Sequence, residues 1–151
     1  VERKGGIPLF IGEYQHSLDE KGRLIIPVRL REGLGERFIA TRGLDNCVFF
    51  YPLAEWEALQ EKLKSLPSTR ADARAIQRFF FSGATECEID RQGRILIPAA
   101  LREYARLERD VVITGVAIRV EVWSTDVWQK YRTETGENIA LIAENIMEIE
   151  L

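Results

Sequence analysis

At 151 residues, with 46% hydrophobic and 30% charged side chains, the chain has the makings of an ordered globular protein with one ordinary core or two small ones. No apolar run approaches the ~20 residues of a membrane span, and nothing after Val1-Glu2-Arg3-Lys4 resembles the apolar segment of a signal peptide. The formal charge of −3 argues against indiscriminate nucleic-acid binding, yet residues 121–151 carry −5 and residues 1–120 carry +2, with six basic against four acidic side chains from Asp19 to Arg42.

In chain order, residues 1–9 contain Gly5, Gly6 and Pro8 without periodicity and read as a flexible N-terminal extension. Tyr14, His16 and Leu18 alternate with polar residues, as in a half-buried strand, and His16 is expected to make a local hydrogen bond there and not to catalyse. Asp19-Glu20-Lys21-Gly22 reads as a tight turn, Arg23 to Ile26 as a second strand, and Pro27 as the entry to a short helix that ends at glycine by Gly35. Phe38 to Thr41 and Cys47 to Tyr51 are predicted strands joined by a turn over Arg42-Gly43-Leu44-Asp45-Asn46. Pro52 opens a helix with Trp56, Leu59 and Leu63 on one face. Leu66-Pro67-Ser68-Thr69 breaks it, and Ser68 or Thr69 is the expected N-cap of a second helix through Ala71, Ala75, Ile76 and Phe79. Phe79-Phe80-Phe81 is expected to be core at a helix-to-strand junction.

Thr85 to Ile89 then alternates like Tyr14 to Leu18, and the pattern begins again. Asp90-Arg91-Gln92-Gly93-Arg94-Ile95-Leu96-Ile97-Pro98 repeats Asp19-Glu20-Lys21-Gly22-Arg23-Leu24-Ile25-Ile26-Pro27 after 71 residues. Extended to Glu32 and Glu103, the copies agree at eight of fourteen positions: Asp, Gly, Arg, Ile, Pro, Leu, Arg and Glu. A short helix from Pro98, strands over Val111 to Thr114 and Ile118 to Trp123, and a helix after Ser124 or Thr125 follow in the same order. Trp56 and Trp128 lie 72 residues apart, so the repeat continues through that helix. Past Gly136, Ile139, Ile142, Ile146 and Ile149 have helical spacing, a stripe either docked on the protein or used for self-association. A unit of about 45 residues buries too little core alone, so the two copies should interdigitate about a pseudo-twofold.

Each Gly–Arg pair sets a guanidinium at a hairpin edge beside exposed backbone N–H groups, a place to bind an anion. A blander reading stays open, in which Arg23 and Arg94 only pair with Asp19 and Asp90. Enzymatic motifs are lacking: there is one histidine, no Gly-x-Ser-x-Gly, no His-Glu-x-x-His and no phosphate-binding Gly-x-x-x-x-Gly-Lys. Cys47 and Cys87 read as two reduced, buried thiols, and two cysteines with one histidine fall short of a zinc site.

Gly12-Glu13-Tyr14, Asp19-x-Lys21-Gly22-Arg23 with Pro27, Tyr51-Pro52-Leu53 with Glu55-Trp56, and Ser82-Gly83-Ala84-x-Glu86-Cys87 with Asp90-x-x-Gly93-Arg94 together resemble the MraZ family. These are bacterial transcriptional regulators built from two SpoVT/AbrB-type swapped-hairpin domains in one chain. The resemblance runs from about Phe10 into the last helix, with Leu9 near the usual start. It implies an α+β fold, a compact β-rich body of two pseudo-twofold-related units with connecting and C-terminal helices. The implied division is 13–55 and 84–127 for the two AbrB-like domains, 56–83 for a helical connector and 128–151 for an acidic helical tail.

The resemblance further implies a cytoplasmic, nucleoid-associated protein that forms ring-like homo-oligomers and binds double-stranded DNA. Its sites would be repeated operator elements upstream of the division and cell-wall gene cluster, its own gene included. Lys21, Arg23, Arg91 and Arg94 are the expected DNA-binding residues; Asp19, Gly22, Asp90 and Gly93 would orient them. Arg23 and Lys21 could contact phosphates, or Arg23 could reach guanine O6/N7 in the major groove, which admits a two-stranded ribbon. Gln92 replaces Lys21 in the second copy, with Arg91 one position earlier, so unequal contributions are expected. No cofactor, metal, membrane or small-molecule substrate is expected. The rival reading is an oligomeric scaffold without DNA binding, which salt-sensitive, sequence-selective binding would exclude.

Overall fold

The computed structural model describes residues 9–146. Expectations for residues 1–8 and 147–151, including Ile149 of the C-terminal stripe, lie outside the described residues.

Strand β1 (Glu13–Ser17) alternates exposed and half-buried side chains and leads through the first Asp-x-x-Gly turn to β2 (Arg23–Ile25). Pro27 precedes helix α1 (Val28–Leu34) with φ −53°, a value the pyrrolidine ring enforces and a helix start requires. Gly35, at φ 80°, ends that helix, its amide bonded to the Arg31 carbonyl at 2.9 Å. Strands β3 (Arg37–Gly43) and β4 (Cys47–Pro52) follow; β3 runs two residues into the segment predicted as turn. Asp45 and Asn46 close this hairpin at φ 68° and 63°, a region that aspartate and asparagine tolerate better than other side chains.

Helices α2 (Leu53–Lys64) and α3 (Ala71–Gly83) lie on the sheet formed by β3 and β4. The cap of α3 differs from expectation. Pro67 starts a turn closed by the Arg70 amide at 3.1 Å, and the first helical bond then runs from Arg74 to the Arg70 carbonyl, also at 3.1 Å. Arg70 is therefore the N-cap in place of Ser68 or Thr69, and it pairs with Asp72 at 2.7 Å. Of the three phenylalanines, Phe80 is buried, Phe79 is partly buried, and Phe81 lies edge-on to Trp56 at the surface.

The second copy supplies β5 (Thr85–Glu88), β6 (Arg94–Leu96), α4 (Ala99–Tyr104), β7 (Asp110–Val116), β8 (Arg119–Ser124) and α5 (Thr125–Gly136). A last helix, α6 (Ile139–Asn145), buries nothing, with Ile139, Leu141 and Ile142 all exposed. Among the described residues the stripe is not docked on its own chain.

β3 with β4 and β7 with β8 form local hairpins, but β1 does not pair with β2, nor β5 with β6. A six-stranded antiparallel sheet has the order β1-β7-β8-β4-β3-β5, and β2 pairs only with β6. Exchange the two copies and this order reads the same from the other end. Each entering strand therefore completes the other copy's half: β1 lies on β7, and β5 on β3. The pseudo-twofold crosses the sheet where Phe49 faces Glu121 on β4 and β8, and crosses the ribbon where Leu24 faces Ile95.

Both faces of the sheet are covered, which is why β4 is buried along its whole length. Val48 and Phe50 join Leu24, Ile26, Ile95 and Ile97 on one side, beneath the ribbon and the short helices. Cys47, Phe49 and Tyr51 join Trp56, Phe80 and Trp123 on the other. Among these, Trp56 lies 6.2 Å from Tyr51 and Trp128 lies 5.2 Å from Trp123, matched pairs in the two copies. One partner set breaks the symmetry. Glu121 is buried opposite Phe49, held by Arg119 at 2.8 Å and by the indole N–H of Trp123 at 2.9 Å, while the Arg119 guanidinium sits 4.2 Å from the Phe49 ring centroid.

Candidate nucleic-acid interface

The two Asp-x-x-Gly turns are built alike. One carboxylate oxygen of Asp19 accepts the amides of Lys21 and Arg23, both at 2.9 Å; its second oxygen accepts Nε of Arg23 at 2.5 Å. In the second copy Asp90 accepts the amides of Gln92 and Arg94 at 2.8 and 2.9 Å, and Nε of Arg94 at 2.9 Å. Gly22 and Gly93 donate to the Asp19 and Asp90 carbonyls, both at 3.0 Å. These bonds correct the expectation of exposed amides: the turn's N–H groups at Lys21, Gly22 and Arg23 are spent on Asp19, whose carboxylate stands where a bound anion would have to sit. The anion-binding capacity of the turn lies in its side chains.

The amide of Arg23 is the chief reason that the Asp19 carboxyl is held below its ordinary value, partial desolvation working against it and the Arg23 side chain adding to it. Asp90 is lowered in the same way, first by the amide of Arg94. Both aspartates stay ionised at neutral pH. Each grips its arginine through Nε, so the two terminal nitrogens of Arg23 and of Arg94 make no hydrogen bond among the described residues. A guanidinium held by one edge presents the other as a planar pair of donors, which suits a phosphate or the O6/N7 edge of guanine.

Period-two alternation then decides what the ribbon displays. Leu24 and Ile95 point into the core and are excluded from water. Arg23 and Ile25 on β2, with Arg94 and Leu96 on β6, point outward. In register Arg23 stands opposite Leu96 and Ile25 opposite Arg94. The ribbon is thus made of one strand from each copy, and its outer face carries both arginines. Lys21 and Arg91 are exposed at the turns and have no ion-pair partner among the described residues.

Two further arginines belong to this arrangement and were not singled out from the sequence. Arg102, on α4, donates Nε to its own Ile97 carbonyl at 2.9 Å and covers Gly22 of the other copy; a β-carbon there would lie 2.5 Å from Cζ. Arg31 on α1 donates to Ile26 at 2.7 Å and covers Gly93, where a β-carbon would lie 2.3 Å from Cζ. Both glycines also have positive φ, 85° and 79°. The available signal was that Arg31 and Arg102 are among the identities of the repeat. Their cross-copy contact required the fold.

The two turns have unequal surroundings. The Leu18 amide bonds the Arg109 carbonyl at 2.7 Å, and in the other copy Ile89 bonds Glu36 at 2.8 Å. The groove at the first turn holds Arg109 beside Glu108, and the one at the second holds Arg31 and Arg91 beside Glu32, Glu36 and Glu88. Arg109 joins Asp19, Glu20, Arg23, Ile25 and Arg94 in lining an open groove of about 630 Å³. His16 is half-buried on β1 and lies in an adjoining depression that shares Ser17 and Ile25 with this groove.

Among the described residues there is no group of three or more histidine, cysteine or acidic side chains able to hold a metal, and no helix long and apolar enough to cross a membrane. The chemistry that the ribbon offers is the reversible binding of anions and base edges.

Comparison with known proteins finds the same twofold repeat along the chain. The family model of the MraZ protein matches residues 9–79 and again residues 80–147. A protein of Pelotomaculum thermopropionicum named Transcriptional regulator MraZ is 62% identical over 143 residues, covering 95% of this chain and 99% of that one. A protein of the same name from Heliobacterium modesticaldum is 60% identical over 95% of this chain and all of its own length, and one from Desulforamulus reducens is 59% identical over 93% and 99%.

Proposed function

The chain belongs to the MraZ family, and from that premise we propose that it is a transcriptional regulator that binds double-stranded DNA sequence-specifically through the outer face of the β2–β6 ribbon. One observation carries this reading. Two guanidinium groups, each gripped through Nε by an aspartate of its own turn, stand on the water-exposed face of a ribbon narrow enough for the ~12 Å major groove. Arg23 and Arg94 contact guanine edges or phosphates with their terminal nitrogens, and Lys21 and Arg91 contact the flanking phosphates. Asp19, Gly22, Asp90 and Gly93 orient them. The two half-ribbons contribute unequally, because Gln92 stands in the second turn where Lys21 stands in the first, with Arg91 one position earlier.

The protein works as a ring-like homo-oligomer in the cytoplasm, associated with the nucleoid. Its sites are repeated operator elements upstream of the division and cell-wall gene cluster, which includes its own gene. Self-association is supported by charge arithmetic: one acidic chain neutralises few phosphates and would bind weakly at physiological salt. Linking several ribbons raises the effective concentration of each without any new contact. The exposed apolar residues of α6 also favour self-association.

The test is a mobility-shift titration with duplex DNA from upstream of the gene, using the full chain and Arg23→Ala. Loss of a base contact should weaken specific binding by ~1–3 kcal/mol with the fold and assembly unchanged. Equal affinity in a folded, assembled Arg23→Ala protein would overturn the assignment. Absence of any salt-sensitive, sequence-selective binding by the wild-type protein would leave the scaffold reading in its place.

A further inference from the structure

The outer face of the ribbon carries two side chains that phosphate binding does not use. Ile25 is 48% and Leu96 57% exposed, although both belong to three-residue strands whose next residues, Leu24 and Ile95, are fully buried. A lone exposed aliphatic residue means little. These two, however, occupy equivalent places in the two copies, and each stands directly across the ribbon from an arginine: Ile25 from Arg94, and Leu96 from Arg23. Cross-strand neighbours have their β-carbons roughly 5 Å apart, so a guanidinium and an aliphatic tip reach toward the same side of the ribbon, next to one another. Any surface that receives the arginines must receive the aliphatic groups as well.

Phosphates would leave both aliphatic residues against charge or water. The floor of the major groove offers a better match. There the C5-methyl of thymine is the apolar group, and it lies among the hydrogen-bonding edges of neighbouring bases. We infer that Ile25 and Leu96 are specificity-determining residues that read thymine methyl groups next to the bases contacted by Arg94 and Arg23. This inference rests on the DNA-binding reading above. It adds that part of the sequence selectivity is apolar, and that an element read by one ribbon holds thymine adjacent to guanine on both sides of the pseudo-dyad.

Replacing thymine by uracil in synthetic operator duplexes removes the methyl group and leaves every hydrogen-bonding edge intact. Wild-type protein, as the full chain, should lose roughly three- to fivefold in affinity for each contacted methyl, the worth of about one buried methyl group. The loss should be confined to particular positions of the element. Ile25→Ser and Leu96→Ser remove the methyl groups at these exposed sites and are expected to fold, which circular dichroism checks. Each should bind the thymine duplex several-fold more weakly than wild type and should no longer distinguish thymine from uracil at its own position. A wild-type protein that binds the unmodified duplex with steep salt dependence but is indifferent to uracil overturns the methyl reading alone. Variants that retain the full uracil penalty overturn it too. Failure of wild type to bind the unmodified duplex overturns the DNA-binding reading and this inference together.

Discussion

The Arg102 guanidinium occupies the space above Gly22 that any side chain at that position would need. The closest approach to an added β-carbon would be 2.5 Å, and Arg31 stands over Gly93 in the same way at 2.3 Å. Each copy thus clamps the turn of the other through an arginine rooted in its own short helix, and the two turns are held as one unit. The glycines answer two demands at once, a positive φ and a close neighbour.

Gly22→Ala should therefore destabilise the protein by roughly 1–3 kcal/mol or more, combining left-handed strain with steric conflict. Arg102→Ala removes the conflict but not the strain. In urea titrations the double variant should be less destabilised than the sum of the two single ones. Strict additivity would mean that Arg102 does not press on the turn.

The turn aspartates predict a particular pH dependence. Asp19 and Asp90 are held below the ordinary aspartate value of 3.8, first by the amides of Arg23 and Arg94. A group lowered on folding contributes stability that is present above its unfolded value and is lost as pH falls through its folded one. Wild-type stability should accordingly show no contribution to its pH slope from these groups above about pH 5, and should fall below about pH 4. Asp19→Asn should flatten that acid limb. Its amide nitrogen would also face Nε of Arg23, donor against donor, so operator binding at neutral pH should weaken while the fold persists. An unchanged acid limb and unchanged affinity would remove the orienting role of Asp19.

Both thiols should be inert in the native state. Burial, with a smaller contribution from Glu86, pushes Cys87 up to about 11; burial, with Glu121 next, raises Cys47 further. At pH 8 about one thousandth of Cys87 is thiolate, and attack requires exposure as well. A disulfide reagent at that pH should find no fast thiol in the folded protein and both in denaturant. A rapid stoichiometric reaction of the native protein would contradict this burial.

Binding should depend on operator spacing. Several elements engaged by linked subunits should bind far more tightly than one, provided that their separation matches that of the subunits. Inserting half a helical turn between neighbouring elements should reduce both the affinity and the salt slope, the latter by ~0.9 for each phosphate that is no longer neutralised. Titrations that superpose on those with native spacing would show that the subunits bind independently.

Sequence alone determined whatever depends on near neighbours. The Asp-x-x-Gly-Arg turn is readable because the carboxylate reaches amides two and four residues ahead and the glycine takes a positive φ. The helix starts at Pro27 and Pro98, the buried thiols and the equivalence of Trp56 and Trp128 follow from composition, repeat and period in the same way. Ser68 and Thr69 misled because capping preference does not register the turn that Pro67 opens. Tertiary structure decided which strands meet. β2 and β6 are three residues long with the same alternation, and nothing local distinguishes pairing with an adjacent strand from pairing with the other copy. Only after the copies exchange strands does Arg23 stand across from Leu96, Arg102 cover Gly22, and a ribbon with two oriented arginines exist. The core favours that exchange, because Leu24 and Ile95 stand opposite each other in the ribbon and are buried together in the cluster that holds Val48 and Phe50.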